Sequence, residues 1–207
     1  MNFLPLLKHI FAQPLPGWNA QQLMSPPFRD EQLKPSSQPV HNAAIGIIFF
    51  VENKELYILF IERSHDGGPH SGQIAFPGGA KDQNDDTLIS TALREIHEET
   101  GISPNNLELL GPLTPLYIPV SRFMVYPFVF YTSHLPPLQI NTFEIKKALF
   151  FPVSLFFNES VLSTTTIQLN GNFYTVPCYR IDQTIIWGAT SMIWCECLTL
   201  LKPLIVP

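Results

Sequence analysis

Charged residues are scarce in this chain of 207: Lys, Arg, Asp and Glu make up 14%, against 45% hydrophobic residues. That balance excludes a disordered chain and supplies a sizeable core. Basic residues are scarcer still, 12 against 17 acidic ones, for a net charge of −5. A broad basic surface for nucleic acid or anionic membrane is therefore excluded, but a small phosphate ligand needs only local donors and metal. Cysteine is limited to Cys178, Cys195 and Cys197, with no CxxC pair. An odd count without metal spacing argues against a disulfide framework or a zinc site, and for buried or free thiols in a reducing compartment. No apolar run is long enough to span a membrane. The opening MNFLPLLKHIF has no basic leader before its short apolar run, and Pro5 interrupts it, so it reads poorly as a secretory signal. A soluble cytoplasmic protein is the expectation.

Hydrophobic patterning suits one domain with a terminal extension. Residues 1–41 read as an N-terminal helix followed by an extended arm rich in Pro, Gln and Ser; residues 42–207 read as the domain proper. The exposed arm at 14–40 is compatible with a homodimer, although no residue pattern requires one. The segments AAIGIIFFV (43–51) and LYILFI (56–61) form a predicted hairpin around ENKE. A long Gly/Pro/Asp loop then leads into a helix over about 87–100. Two further strands are predicted in LELLGPLTPLYIP and FMVYPFVFYTS around a turn at 120–122, and a strand or loop running into a short helix in NTFEIKKALFFPVSLFF. A hairpin is expected to turn at Asn170–Gly171. The stretch IIWGATSMIWCECLTLLKPL reads as one helix with an apolar stripe, Trp187 and Trp194 both in its core face. Strands interrupted by two separated helices imply a mixed sheet sandwiched by helices, an α/β (α+β) fold.

The chemistry concentrates in REIHEETGI, residues 94–102. Gly101 is placed to end the helix in a left-handed conformation, which puts Glu95, Glu98 and Glu99 in the last turn. Carboxylates there oppose the helix dipole at roughly 0.3–1 kcal/mol each. At 3.6 residues per turn Leu88, Ile89, Ala92, Leu93 and Ile96 share the core face, and Glu99 falls at its edge, where free solvation is not expected. Spacings of i, i+3 and i, i+4 bring the three acids to one side, Arg94 can reach Glu98 at i+4 but cannot neutralise all three, and His97 points away to solvent. A charged helix with one solvated face would look similar. Oxygen ligands without Cys or His otherwise suit a hard cation, Mg²⁺ or Mn²⁺. The preceding loop, with Gly67, Gly68, Gly72, Gly78 and Gly79, offers backbone amides to phosphate.

GGAKDQNDDTLISTALREIHEETGI resembles the signature of the Nudix hydrolases, which split nucleoside diphosphates linked to another moiety. The matching positions are Gly79, Asp85, Arg94, Glu95, Ile96, Glu98, Glu99, Gly101 and Ile102. Two departures stand out: Asp85 occupies the place of a glutamate, and eight residues rather than seven separate it from Arg94. Upstream, LFIERSHDGGPHSGQIAFPGG is similar to an extra signature of the coenzyme A diphosphatase branch, through Arg63, Ser64, Gly72, Phe76, Pro77, Gly78 and Gly79. Gly68 stands where a second basic residue is expected, with His65 and His70 the nearby candidates to replace it.

The resemblance implies a Nudix fold, an α/β/α sandwich with a central mixed β-sheet. It further implies Mg²⁺- or Mn²⁺-dependent attack by water on the diphosphate of coenzyme A or acyl-CoA, giving 3′,5′-ADP and (acyl-)4′-phosphopantetheine. Glu95, Glu98 and Glu99 would hold the metal and Arg94 would orient them. Glu144, beside a strand end, is a candidate base or further ligand. Arg63, Ser64, Gly72, Phe76, Gly78 and Gly79 are the substrate-binding candidates; Phe76 and Pro77 are expected mainly to shape the loop. Two alternatives stay open: a Nudix hydrolase of an ADP-sugar or dinucleotide, and a non-catalytic nucleotide sensor of the same fold.

Overall fold

The computed structural model describes residues 3–29, 40–64, 71–169 and 171–205. Helix α1 (Phe3–Phe11) and the short α2 (Trp18–Gln21) precede a long hairpin, β1 (His41–Glu52) and β2 (Glu55–Arg63). Two short strands, β3 (Ile74–Ala75) and β4 (Gly78–Ala80), lead to helix α3 (Leu88–Thr100). Strands β5 (Glu108–Pro112), β6 (Leu116–Ile118), β7 (Phe123–Thr132) and β8 (Ile145–Pro152) follow. A meander of β9 (Leu162–Leu169), β10 (Asn172–Ile181) and β11 (Thr184–Trp187) precedes the last helix, α4 (Gly188–Ile205).

The larger sheet runs β3-β2-β1-β7-β5, with β4 on β1, β6 on β7 and β8 on β2. It is mixed: β1 and β7 are parallel over ten residues, His41↔Phe123 to Phe50↔Thr132, whereas β1–β2 and β2–β8 are antiparallel. Because side chains alternate along a strand, β1 serves two cores. Ile47 and Phe49 face the cluster that contains α1 and α4, while Ala44, Ile48 and Phe50 face α3 through Ala92 and Ile96. Helices thus cover both faces of a central mixed sheet, as the fold class requires. Gly46 sets the approach of α3, since a Cβ there would lie 2.3 Å from Ile96 Cδ1.

Three local expectations need correction. LELLGPLTPLYIP is two strands rather than one, because the chain leaves the sheet between β5 and β6. IIW does not begin the final helix. Ile185, Ile186 and Trp187 belong to β11, paired with β10, and Gly188 at φ 68° makes the break. Trp187 is therefore not a helix residue, whereas Trp194 is fully buried on α4. Nor does α4 show a narrow stripe: consecutive residues Ser191 to Leu198 are all buried, because the helix is enclosed by the sheet, α1 and α2. All three cysteines are buried free thiols, and burial raises the pKa of each.

The N-terminal segment is anchored through Glu196 on α4, a fully buried carboxylate. It accepts hydrogen bonds from Gly17 N at 3.1 Å, Gln21 Nε2 at 2.8 Å and Thr114 Oγ1 at 2.6 Å. Charge-assisted bonds from two separate segments, residues 17–21 and Thr114, make this burial tolerable. The hairpin turn expected at Asn170–Gly171 falls partly outside the described residues; Gly171 itself has φ 80°. Among the described residues, no helix is long and apolar enough to cross a membrane.

Candidate active site

Helix α3 is started and stopped by its own sequence. Thr87 caps it, accepting from Ser90 N at 3.0 Å while Ser90 Oγ accepts from Thr87 N at 2.9 Å. This is a capping box with serine in the third position. Gly101 ends it in the left-handed region at φ 74°, its N–H donating to His97 O at 2.9 Å. Between these ends the apolar face docks on the sheet and carries Glu95 and Glu99 against β4.

Glu99 is only 1% exposed. Its Oε2 accepts from Gly78 N at 3.0 Å, and Arg63 Nη1 stands 3.9 Å from Oε1. Burial is the dominant influence and pushes its pKa up to about 8; the Gly78 amide and Arg63 oppose the rise, while Glu95 and Glu144 add to it. Glu95 is also raised by burial, against the opposing pull of Arg94 and with the help of Glu98 and Glu144. It lies so close to β4 that a Cβ on Gly79 would meet its Oε1 at 2.5 Å. Only glycine permits this contact.

Arg94 organises the other carboxylates. Its Nε and Nη2 donate to the two oxygens of Asp85, each at 3.0 Å, and Nη2 also reaches Ala80 O at 3.1 Å. Nη1 donates to Glu95 at 2.9 Å and Glu98 at 2.8 Å. Asp85 is 8% exposed, and the Arg94 hydrogen bonds hold it well below the usual carboxylate range. Asp85 in turn is the main cause of a raised Arg94 pKa. The shorter side chain and the extra residue before Arg94 thus still allow a two-pronged pair. Glu98 is half exposed, and His97 is exposed as expected, its Nδ1 3.3 Å from Ile102 O.

Glu144 immediately precedes β8, exposed, its carbonyl accepting from Ser64 N at 2.8 Å. Its electrostatic influence on both Glu95 and Glu99 places it on the margin of the same cluster. Among the described residues, no three His, Cys, Asp or Glu side chains are gathered around one point as a ready-made metal cage. Glu95 and Glu98 are turned to Arg94, while Glu99 faces Gly78. As a donor set the three still suit a hard divalent cation. They are all oxygen ligands, and one is a buried carboxyl for which a nearby cation would offset desolvation.

A cavity of about 410 Å³ adjoins the cluster, its near wall formed by Arg63, Gly78, Gly79 and Ala80. Its other walls are largely apolar, with Phe123, Trp187 and Ile193, and Phe28 and Val120 at exposed positions. That volume is in the range of small-molecule sites. Of the substrate-binding candidates, Arg63, Phe76, Gly78 and Gly79 line it. Phe76 does so as a buried core ring, its centroid 4.8 Å from that of Phe60. Gly72 lies instead in a neighbouring, more polar cleft of about 700 Å³, with Glu62, Lys146 and Lys147. Ser64 lines neither, its hydroxyl donating to Thr142 O at 3.4 Å. His65, Gly67, Gly68 and His70 lie outside the described residues.

The sequence reading passed over two side chains on this cavity. Trp187 reads from sequence as a helix-core residue. Arg29, in the arm, had no motif to single it out. It is half-buried, and desolvation lowers its pKa to about 10.

An acidic helix end laid against a glycine strand beside a ligand-sized cavity, on a mixed sheet between helices, makes a candidate small-molecule site. Comparison with known proteins agrees. Residues 40–165 match the NUDIX domain, and the chain belongs to the Nudix family, enzymes that hydrolyse pyrophosphate bonds. It is 34% identical over 164 residues to the uncharacterized Nudix hydrolase NudL of Pectobacterium atrosepticum, covering 78% of this chain and 85% of that protein. It is 32% identical over 143 residues to the peroxisomal coenzyme A diphosphatase NUDT7 of Mus musculus, covering 66% of this chain and 60% of that protein. Among solved structures, a MutT/nudix family protein from Enterococcus faecalis superposes with a TM-score of 0.54 at 19% identity. That match covers 84% of this chain and 66% of the other, and it bears on the fold alone.

Proposed function

We propose that this enzyme is a divalent-cation-dependent diphosphatase acting on coenzyme A or acyl-CoA, releasing 3′,5′-ADP and (acyl-)4′-phosphopantetheine. The observation that carries the reading is the meeting of Glu95 and Glu99 with the Gly78–Ala80 strand at the wall of the cavity. The similarity to the mouse coenzyme A diphosphatase, together with Arg63, Phe76, Gly78 and Gly79 on that wall, supports the choice of substrate.

In this reading Glu95, Glu98 and Glu99 hold Mg²⁺ or Mn²⁺, which when bound offsets diphosphate charge and acidifies a water. Arg94, fixed by Asp85, holds Glu95 and Glu98 in position, and loss of such a support typically costs about 10–100-fold in metal affinity or activity. Arg63 donates to a diphosphate oxygen, and the open glycine strand lets the diphosphate approach the acids. Glu144, at the margin, is the candidate to take the proton from the attacking water.

Purified protein incubated with Mg²⁺ or Mn²⁺ and CoA, acetyl-CoA, ADP-ribose or NADH, with products identified by mass, tests the proposal. The expected result is 3′,5′-ADP from the CoA substrates, abolished in Glu98→Gln, with circular dichroism unchanged because Glu98 is half exposed. Cleavage of ADP-ribose or NADH but not CoA would reassign the substrate. Absence of turnover with every compound would point to a sensor.

A further inference from the structure

The cavity holds a cation that the hydrolytic reading does not use. Arg29 Nη2 donates to Tyr117 O, and Nη1 rests 3.2 Å from Met192 Sδ, a weak acceptor. Among the described residues no carboxylate pairs with it. Arg94 by contrast serves three carboxylates, and Arg63 stands beside Glu99. Guanidinium has five donors in a planar fork, and removing that charge from water without a counterion is unfavourable. A half-buried arginine on the wall of an open cavity, with no carboxylate partner among the described residues, suits an anion receptor.

The same cavity reaches Arg63, Gly78 and Gly79, so one ligand can touch both Arg29 and the hydrolytic edge. Its apolar wall carries Phe28, Phe123 and Trp187, side chains on which a base can stack. Resting on the coenzyme A reading above, we propose that this cavity receives the nucleoside half of the substrate, with Arg29 pairing the ribose 3′-phosphate. Charge decides between the two halves: the pantetheine arm and a simple acyl chain are neutral and leave Arg29 unpaired. The nucleoside half carries a phosphomonoester, which suits bidentate guanidinium recognition.

The test compares CoA with 3′-dephospho-CoA in wild type, Arg29→Gln and Arg29→Lys. Wild type is expected to prefer CoA. Arg29→Gln should lower kcat/KM for CoA about tenfold or more through KM, the effect of one lost charged hydrogen bond, and leave dephospho-CoA unchanged. Arg29→Lys should recover part of the preference. Calorimetry provides a readout free of turnover: wild type should bind 3′,5′-ADP more tightly than 5′-AMP, and Arg29→Gln should bind them alike. The melting temperature of Arg29→Gln should hold or rise, since a partly desolvated charge with no carboxylate partner among the described residues has been removed. Equal losses for CoA and dephospho-CoA, or an undiminished preference in Arg29→Gln, would overturn the proposal. A KM for acyl-CoA that tracks chain length through Trp187→Ala would overturn it too, by placing the other arm in the cavity. Failure of the coenzyme A reading registers separately, as no cleavage of either compound by wild type. Loss of 3′,5′-ADP discrimination in Arg29→Gln would then still uphold the receptor, and retained discrimination would overturn it.

Discussion

Glu99 illustrates how much one carboxyl group can decide. Burial raises its pKa from 4.5 to about 8, so the native state keeps a proton that the unfolded chain releases. Below 4.5 both states are protonated and Glu99 costs nothing. As pH rises from 4.5 to about 8 the unfolded state is favoured progressively, by an amount on the order of a few kcal/mol, and the loss levels off above that window. Metal-free protein should therefore melt at lower temperature as pH rises through this range, and Glu99→Gln should flatten the curve. Parallel curves for the two proteins in a fluorescence melt would show that Glu99 is not the titrating group. Mg²⁺ should restore stability to wild type most at the alkaline end, where metal need not displace a proton.

At the scale of elements, helix α3 is positioned by two glycines that do different work. A methyl at Gly46 would strike Ile96 Cδ1 at 2.3 Å, within the packed interface between helix and sheet. Gly46→Ala should thus cost about 1–3 kcal/mol, a fall of roughly 2–4 °C per kcal/mol in a chain of this size. A methyl at Gly79 meets the end of the Glu95 side chain, which can move aside without disturbing the core. Gly79→Ala should therefore keep its melting temperature and lose turnover. Melting and steady-state rates measured on both variants check the contrast; equal stability losses would place Gly79 in the packing rather than the chemistry.

At the scale of the whole molecule, Glu196 ties the first twenty-odd residues to the last helix and to the turn between β5 and β6. Glu196→Ala would leave Gly17 N, Gln21 Nε2 and the Thr114 groups without their acceptor, at roughly 2–4 kcal/mol. Faster proteolysis of the N-terminal segment should accompany the loss, with Glu196→Gln intermediate because its carbonyl keeps one acceptor. An unchanged denaturation midpoint would show that the segment is held by α1 packing alone. Since the segment also carries Phe28 and Arg29 to the cavity, its anchoring and the shape of the cavity belong to one structure.

Much of α3 was legible because its determinants are local. The left-handed glycine at 101, the i, i+4 spacing that links Arg94 to Glu98, and the burial of Glu99 all follow from a 3.6-residue repeat within fifteen residues of chain. The alternating strands and the mixed sheet between helices were legible through the same short-range periodicity. Distance in sequence hid the rest. Gly17 meets Glu196 across 179 residues, and Arg29 reaches Tyr117 across 88. Asp85 looked displaced in the motif, yet folding lays it along Arg94, because a loop can absorb one residue where a helix cannot. Trp187 looked like part of an apolar helix until strand pairing with Cys178 claimed it. By itself the sequence determined which residues form the acidic helix end and the glycine strand, because backbone conformation and side-chain periodicity are encoded within a few residues. Only the tertiary structure decided what faces them across the cavity, because that depends on which distant segments the shared core draws together.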